Sequence, residues 1–470
     1  MSRLQKGLLL FAIFFVVFFL FGLLKPLPSG VSIASDYYTL ENTSVQFLGD
    51  LTYTQNNSRI YNQTIFPQIY DAIDDASEFI LIDMFLFTNE PYENTDLIPL
   101  AQDLTDKLVA KKKMFPDLEI IFITDHLITF YGSHKPLHIE QLENANISVI
   151  YSNTNKLRNS NPLYNTLWDM SLRFFGLPKY NGKTIPNFMT SSPEKMGFRS
   201  ALRLLNFKAN HRKVFVSDKD SFVISANPHI GSSLHSNVGL RVQDYRIANK
   251  LIESEQAVLQ LSGSDITLDQ LPMTSIELNN TVDVAILTEK KIRDEVISQI
   301  NSAESNSKIK IAMFYFSDRK IVKALKKAIK RDVSVELLLD ANKDAFGNEK
   351  NGIPNRQVAW ELQKYGASIR WYNTQGEQFH TKLFIKIDDD IVTLIIGSAN
   401  YTKRNIGNYN LETNLIFVGK KSDEVSKDAL NYWDSAWSEE KSLDFESFKD
   451  TSWFKYWLYR FQEWTGLSSF

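Results

Sequence analysis

Two stretches of this 470-residue chain repeat one another, and a chain written twice on one plan points to two like halves. In the first stretch a helical pattern at Ile69, Ile73 and Ala76 runs into the apolar segment Ile80 to Thr88. In the second, Val296, Ile300 and Ala303 run at the same spacing into Ile309 to Ser317. The next apolar segment is framed by Asp117 and Asp125 in one copy and by Asp332 and Asp340 in the other. A third pair follows at Leu142 to Tyr151 and Leu362 to Trp371. Each series then reaches a His-x-Lys, first His211-Arg212-Lys213 and later His380-Thr381-Lys382. Downstream stand Ser225-Ala226-Asn227 and Ser398-Ala399-Asn400. One His-x-Lys alone carries no information. Two, each preceded by a matching strand series and followed by a matching triplet, indicate one composite site.

Apolar strands alternating with helical segments such as Ile321 to Arg331 indicate α/β units with a largely buried sheet. The expected architecture is two α/β half-domains about a pseudo-twofold axis, each delivering one His-x-Lys to a shared cleft. The first half spans residues 36–262 and the second 280–440, divided at the polar, turn-rich stretch 262–280. The halves are unequal: 86 positions separate Asp125 from His211, but only 40 separate Asp340 from His380. The surplus is an insertion at 156–206 containing Trp168, Phe174, Phe175, Pro178, Tyr180, Pro186 and Phe188. Long insertions serve as lids and binding loops, here a substrate cover touching the bilayer, or pack as helical excursions; the sequence favours neither.

Residues 1–35 form a short tip, an anchor and a linker. Gly7 to Leu24 is an unbroken apolar run between Lys6 and Lys25. Eighteen helical residues rise about 27 Å, close to the hydrocarbon thickness of a bilayer. Arg3 and Lys6 precede the run, whereas Asp36 and Glu41 follow Lys25, so the positive-inside bias puts the N-terminus in the cytoplasm and the remainder outside. The competing reading is a secreted chain with a cleaved signal peptide at Ser32-Ile33-Ala34; the length of the run favours the anchor. A net charge of −3 gives no global attraction to nucleic acid or anionic lipid, and the absence of cysteine excludes disulfides and thiolate metal sites. Asn-x-Ser/Thr triplets at Asn42, Asn62, Asn146 and Asn279 are chance-level in an Asn-rich chain.

The paired motifs suit attack on a phosphodiester. A covalent phosphoryl-enzyme intermediate splits a difficult displacement into two easier ones. Neutral histidine is nucleophilic near neutral pH, and a second, protonated histidine gives the leaving alkoxide its proton and later takes one from the acceptor. Lys213 and Lys382 are expected to hold phosphate oxygens. Asn227 and Asn400 are expected to donate amide hydrogen bonds to the same oxygens, with Ser225 and Ser398 supporting these substrate contacts. No metal or other cofactor is required. His134 and His138 share helical spacing but lack a Glu partner and flank Pro136, so they are expected on the surface. The basic run Lys111 to Lys113 reads as a solvated helix face.

Here the chain resembles the phospholipase D superfamily, marked by a duplicated HxKxxxxD motif and a downstream GSxN. The resemblance covers about residues 45 to 440. His211, Lys213 and Asp218 fit the first motif in full, and Asn210 completes an Asn-His-Arg-Lys similar to that of bacterial cardiolipin synthases. The resemblance implies His211 as nucleophile and His380 as acid, an order the residues alone leave open, and it counts Asp218 among the catalytic residues. Three departures stand out. Ile387 occupies the Asp position of the second motif, with Asp388 one later; Ile224 replaces the Gly of the first triplet; and Gly239 stands where spacing from Ser225 matches Glu412 from Ser398. Glu412 is therefore expected to orient His211 across the interface, while His380 is expected to lack such support.

The reading is a membrane-anchored phosphodiesterase or phosphatidyltransferase acting on phospholipid through a phosphohistidine, with an alcohol or water as acceptor and cardiolipin formation as one version. The rivals are an outward-facing nuclease, disfavoured by mild acidity and Asn-His-Arg-Lys, and a degenerate lipid-binding member. Residues 441–470 carry a stripe of Phe454, Trp457, Phe461 and Trp464 on one helix face. Such stripes usually serve a core, so it is expected to pack on the catalytic domain, although Trp and Tyr also favour the membrane interface.

Overall fold

The computed structural model describes the chain except residues 90–96, 178–179, 181–183, 188–194, 273–277, 346–347 and 469–470. Pro178 and Phe188 of the insertion, and 273–277 of the expected boundary, lie outside the described residues. In chain order the strands that matter are β1 (Tyr38–Glu41), β2 (Val45–Gln55), β3 (Ser58–Asn62), β4 (Phe79–Met84), β5 (Glu119–Thr124), β6 (Ser148–Tyr151), β7 (Lys213–Ser217), β8 (Ser221–Ile224) and β9 (Asn237–Val242). They continue as β10 (Thr281–Thr288), β11 (Lys308–Met313), β12 (Ser334–Leu339), β13 (Ser368–Tyr372), β14 (Lys382–Asp388), β15 (Ile391–Gly397), β16 (Thr413–Lys420) and β17 (Ser442–Asp444).

Among the described residues these strands form two large sheets, ordered β3-β2-β9-β8-β7-β4-β5-β6 and β1-β10-β16-β15-β14-β11-β12-β13-β17. The repeated sequence series becomes a repeated pairing. β4, β5 and β6 run parallel, as do β11, β12 and β13, and β7 and β14 lie antiparallel to β4 and β11. Most of these strands are buried on both faces, as their near-continuous apolar runs demand. A central core joins both sheets through Val214, Val216, Leu383, Ile385 and Leu394, while a separate core lies outside each sheet. The halves also trade elements. Helix Tyr245–Ser262 packs on β10, helix Glu424–Trp437 packs on β2, and β1 pairs with β10 rather than with the sheet that follows it in sequence.

The N-terminal helix runs from Arg3 to Leu24 with a capping box at Ser2 and Gln5, and it is the one helix among the described residues long and apolar enough to cross a membrane. Its far end meets the insertion: Asn159 N–H donates to Gly22 O (2.9 Å), Lys25 Nζ to Asn155 O (3.0 Å) and Arg158 Nε to Lys25 O (2.8 Å). Insertion helix Pro162–Met170 lies against it.

Several expectations need correction. The aromatic stripe does not pack inward: helix Trp453–Thr465 buries Tyr459 and Glu463 and leaves Phe454, Trp457, Phe461 and Trp464 exposed. His138 is in the core, its Nε2 2.8 Å from Phe87 O, because Pro136 starts the helix Leu137–Asn144 and turns that residue inward. Lys111 is also buried, its ammonium donating to Asp74 O at 2.6 Å.

Candidate active site

Both His-x-Lys motifs stand at the head of a strand, β7 and β14, where the halves meet. Parallel bridges Asn210–Leu411 and Ser236–Phe379 cross the interface there, one for each motif. His211 N–H donates to Leu411 O (2.9 Å) and Ser236 N–H to Gln378 O (3.2 Å). Each loop before a histidine is held from below by an aspartate of its own half. Asp125 accepts from Asn210 N–H and Asp340 from Phe379 N–H, both at 2.9 Å. Asn210 also spans both oxygens of buried Asp83 at 2.8 Å. The matched ends Asp125 and Asp340 were visible in the sequence; their task was not.

His211 Nδ1–H donates to Glu412, 2.8 and 3.0 Å from its two oxygens. Ser398 and Asn405 donate to the same carboxylate. Burial pushes the Glu412 carboxyl up, but His211, Lys213 and the Ser398 hydroxyl outweigh it and hold the group below its ordinary value. Burial likewise brings His211 down to about 4 despite Glu412. Both shifts point to one state, a neutral imidazole bonded to an anionic carboxylate.

His380 is not left without support. Its Nδ1 lies 3.1 Å from Asn237 Oδ1, which also accepts from Ser225 Oγ at 3.2 Å. The amide is oriented because Asn237 Nδ2 donates to His235 O (3.0 Å). Spacing misled here because register decides. Ser225 N–H bonds Val238 O and Ser398 N–H bonds Thr413 O, so the residue before each, Asn237 and Glu412, is the equivalent pair. The intervening loop is simply two residues shorter in the first half.

Register also explains Ile224 and Gly239. They face each other across β8 and β9, as Gly397 and Asn414 do across β15 and β16. A Cβ on Gly239 would lie 2.6 Å from Ile224 Cγ2, and one on Gly397 would lie 2.3 Å from Thr413 O. The space is filled from opposite strands in the two halves. Gly239 makes room for Ile224; it is not a lost carboxylate.

Lys213 and Lys382 are buried, each with its ammonium 2.9 Å from the carbonyl of its own histidine and over an aromatic face, Phe85 or Phe314. Burial lowers both, Lys213 to about 7 and Lys382 well below its usual range. His380 is likewise held well below its ordinary value by burial, then by Lys382, with His235, Lys213 and His211 adding to it. The two motifs thus act on each other through one low-dielectric space that favours an anion.

Two groups of expected residues fall elsewhere. Ser225 and Ser398, expected to support substrate contacts, are fully buried, and their hydroxyls bond Asn237, Glu412 and the N–H groups of Val238 and Thr413 (2.9 and 3.0 Å). Asp218 is at the far end of β7, five residues from Lys213 or about 17 Å along a strand. It accepts from Ser77 N–H (2.9 Å), Ser77 Oγ (2.7 Å) and Glu78 N–H (3.1 Å). In the second half Asp388 accepts from Ser307 at the corresponding turn. Asn227 and Asn400 are buried beside the site; Asn400 Oδ1 accepts from Tyr315 N–H (3.3 Å), and Asn227 Oδ1 has no hydrogen-bond partner among the described residues.

Sequence reasoning missed Asn405 and the buried ion network on Arg212. Arg212 donates to Glu289 (2.8 Å), Glu255 (3.1 Å) and Val31 O (3.0 Å), and Glu289 accepts from Glu412 N–H (3.2 Å). The middle residue of the first motif thereby fixes the backbone carrying the carboxylate of its neighbour.

The family model "Cardiolipin synthase, PLD-like domain" matches residues 296–437. Among solved structures, phosphatidylserine synthase from Haemophilus influenzae Rd KW20 is similar at 11% identity and a TM-score of 0.58, covering 93% of this chain and 94% of that one. Nuc, a phospholipase D family member from Salmonella typhimurium, matches at 22% identity and a TM-score of 0.29 over 35% of this chain and 97% of its own. No curated protein matches the chain. The family model makes residues 296–437 of the second half a cardiolipin synthase-like, PLD-like domain, the paired motifs repeat its plan in the first half, and the synthase shares the fold across both.

Proposed function

We propose that the chain is a membrane-anchored phosphatidyltransferase or phospholipase that works through a phosphohistidine on His211, with cardiolipin formation from phosphatidylglycerol as one version of the reaction. The observation that carries this is the unequal backing of two coupled histidines, a carboxylate behind His211 and an amide behind His380. His211 Nε2 attacks phosphorus. The bond from phosphorus to the headgroup oxygen breaks, and His380, protonated once the bound anion offsets its burial and the neighbouring lysines, gives its Nε2 proton to that oxygen. Glu412 offsets the charge that the phosphorylated imidazole acquires, which favours His211 as nucleophile. His380, without a carboxylate, makes a stronger acid. In the second step an acceptor alcohol or water gives its proton to neutral His380 and attacks phosphorus, and His211 leaves unchanged. Lys213 and Lys382 bind the phosphate oxygens, and the anion restores the charge that burial disfavours on them.

The test is mass spectrometry of the full chain with phosphatidylglycerol vesicles, following lipid products and adducts on His211. Cardiolipin and glycerol establish a transferase, and phosphatidic acid a hydrolase. A folded His211→Ala variant that still turns over sinks the proposal.

A further inference from the structure

Helix Trp453–Thr465 is built inside out for a protein in water. A surface helix normally turns its apolar stripe to the core and its charges to solvent. Here the buried positions are Tyr459 and Glu463, while Trp453, Phe454, Trp457, Phe461 and Trp464 are between 50 and 74% exposed. Polar bonds fix the helix in this attitude. Ser317 Oγ donates to Glu463 (2.7 Å), Lys403 N–H donates to its other oxygen (3.0 Å), and Tyr459 OH donates to Glu361 (3.2 Å). At the C-terminal end Lys403 Nζ donates to Trp464 O and Arg404 to Gly466 O, both at 3.0 Å. The aromatic face is held outward, not left there by fraying.

A second exposed apolar face belongs to the insertion, at Leu163, Leu167, Phe174 and Phe175. The two faces converge where the N-terminal helix ends. Asn159 holds Gly22 O, and Ser160 O is so close to Gly466 that a Cβ there would lie 1.7 Å from it. The end of the anchor, the insertion helix and the end of the C-terminal helix therefore meet at residues 159–161. An anchor running Arg3–Leu24 places this junction at the edge of the hydrocarbon layer. Trp and Phe flanked by Lys455 and Arg460 on an inverted helix match the chemistry of that depth.

We propose that the C-terminal helix and the insertion form a bilayer-seated platform, its occupant being the membrane leaflet at the Leu24 end of the anchor. The platform rests on the reading of Arg3–Leu24 as a membrane span, and it deepens the proposed function by holding the catalytic halves against the lipid surface.

The test uses the full chain in phosphatidylcholine vesicles carrying lipids brominated at carbons 6 and 7 of one chain, with tryptophan fluorescence as readout. The anchor contains no Trp, so quenching does not report the anchor itself. The expected result is blue-shifted, bromolipid-quenched emission, with that quenching lost in a Trp453→Phe/Trp457→Phe/Trp464→Phe variant. A chain that floats with vesicles but is quenched by aqueous acrylamide instead of bromolipid overturns the platform and leaves the anchor standing. Floating chain quenched by neither, with cross-links between copies through this helix, also overturns it, in favour of self-association. Chain that does not float overturns platform and anchor together, while product formation from detergent-dispersed phosphatidylglycerol still decides the catalytic proposal separately.

Discussion

Glu412→Gln tests the division of labour between the two histidines. The side chain keeps its shape and loses its charge. Glu412 accepts from His211, Ser398 and Asn405, and Asn405 is not free to turn round, because its own Oδ1 accepts from Thr402 Oγ1 at 2.7 Å. A Gln amide therefore brings an N–H into a site already full of donors. Hydrogen bonds to charged groups contribute about 1.5–3 kcal/mol against about 0.5–1.5 for neutral ones, so losing the charge removes at least about 1 kcal/mol. The phosphorylated imidazole is cationic, and a full charge pair at about 4 Å in an effective dielectric of about 20 adds up to about 4 kcal/mol. Since about 1.4 kcal/mol is tenfold in rate, kcat/KM should fall by about 5- to 4,000-fold, with the slowed step being formation of phosphohistidine in a single-turnover quench. Asn237→Ala, which removes a neutral bond of 3.1 Å to His380, should cost only about 2- to 12-fold on the same scale. Far-ultraviolet circular dichroism must show both variants folded. Equal losses, or a larger loss in Asn237→Ala, refute the assignment of His211 as the carboxylate-backed nucleophile.

Other outcomes follow from the same geometry. Lys213 is brought down to about 7 by burial, and only its protonated form attracts an anion; KM for a phosphodiester should therefore be lowest below pH 7 and rise up to about tenfold per unit above it, read from a pH series of initial rates. Introducing a carboxylate by Gly239→Glu should not help His380, because the new Cβ meets Ile224; the variant should lose about 1–3 kcal/mol of stability in a denaturant melt and gain no activity. Asp218→Ala should loosen the turn at Ser77 and lower the melting temperature, yet change kcat by less than the tenfold that about 1.4 kcal/mol represents.

How much was legible varied with the kind of constraint. The duplication was readable because strand and helix periods leave their mark on every residue. The meeting of the two His-x-Lys motifs was readable because each follows a matching strand series and precedes a matching triplet. Glu412 could be paired with His211 by spacing, but Asn237 could not be paired with His380, since a loop two residues shorter breaks the count while sheet register preserves the match. The distance of Asp218 from the histidines was not legible in the motif, because a motif written along a strand carries its last member away from the first. The stripe at Phe454 to Trp464 showed a helix face but not its direction; Glu463, turned inward to Ser317 and Lys403, decided that, and a buried acid cannot be foreseen from period alone.

The crossing of partners between halves has a consequence for synthesis. The carboxylate behind His211 is supplied by residue 412, and the amide behind His380 by residue 237. A growing chain that has completed its first half holds an imidazole with no counter-ion and lacks the second motif altogether. The His211–Glu412 pair is thus incomplete until some two hundred further residues are made and docked, a span set by the 201 positions between them. The paired site is in this way absent from either half alone and assembled only by closure of the whole.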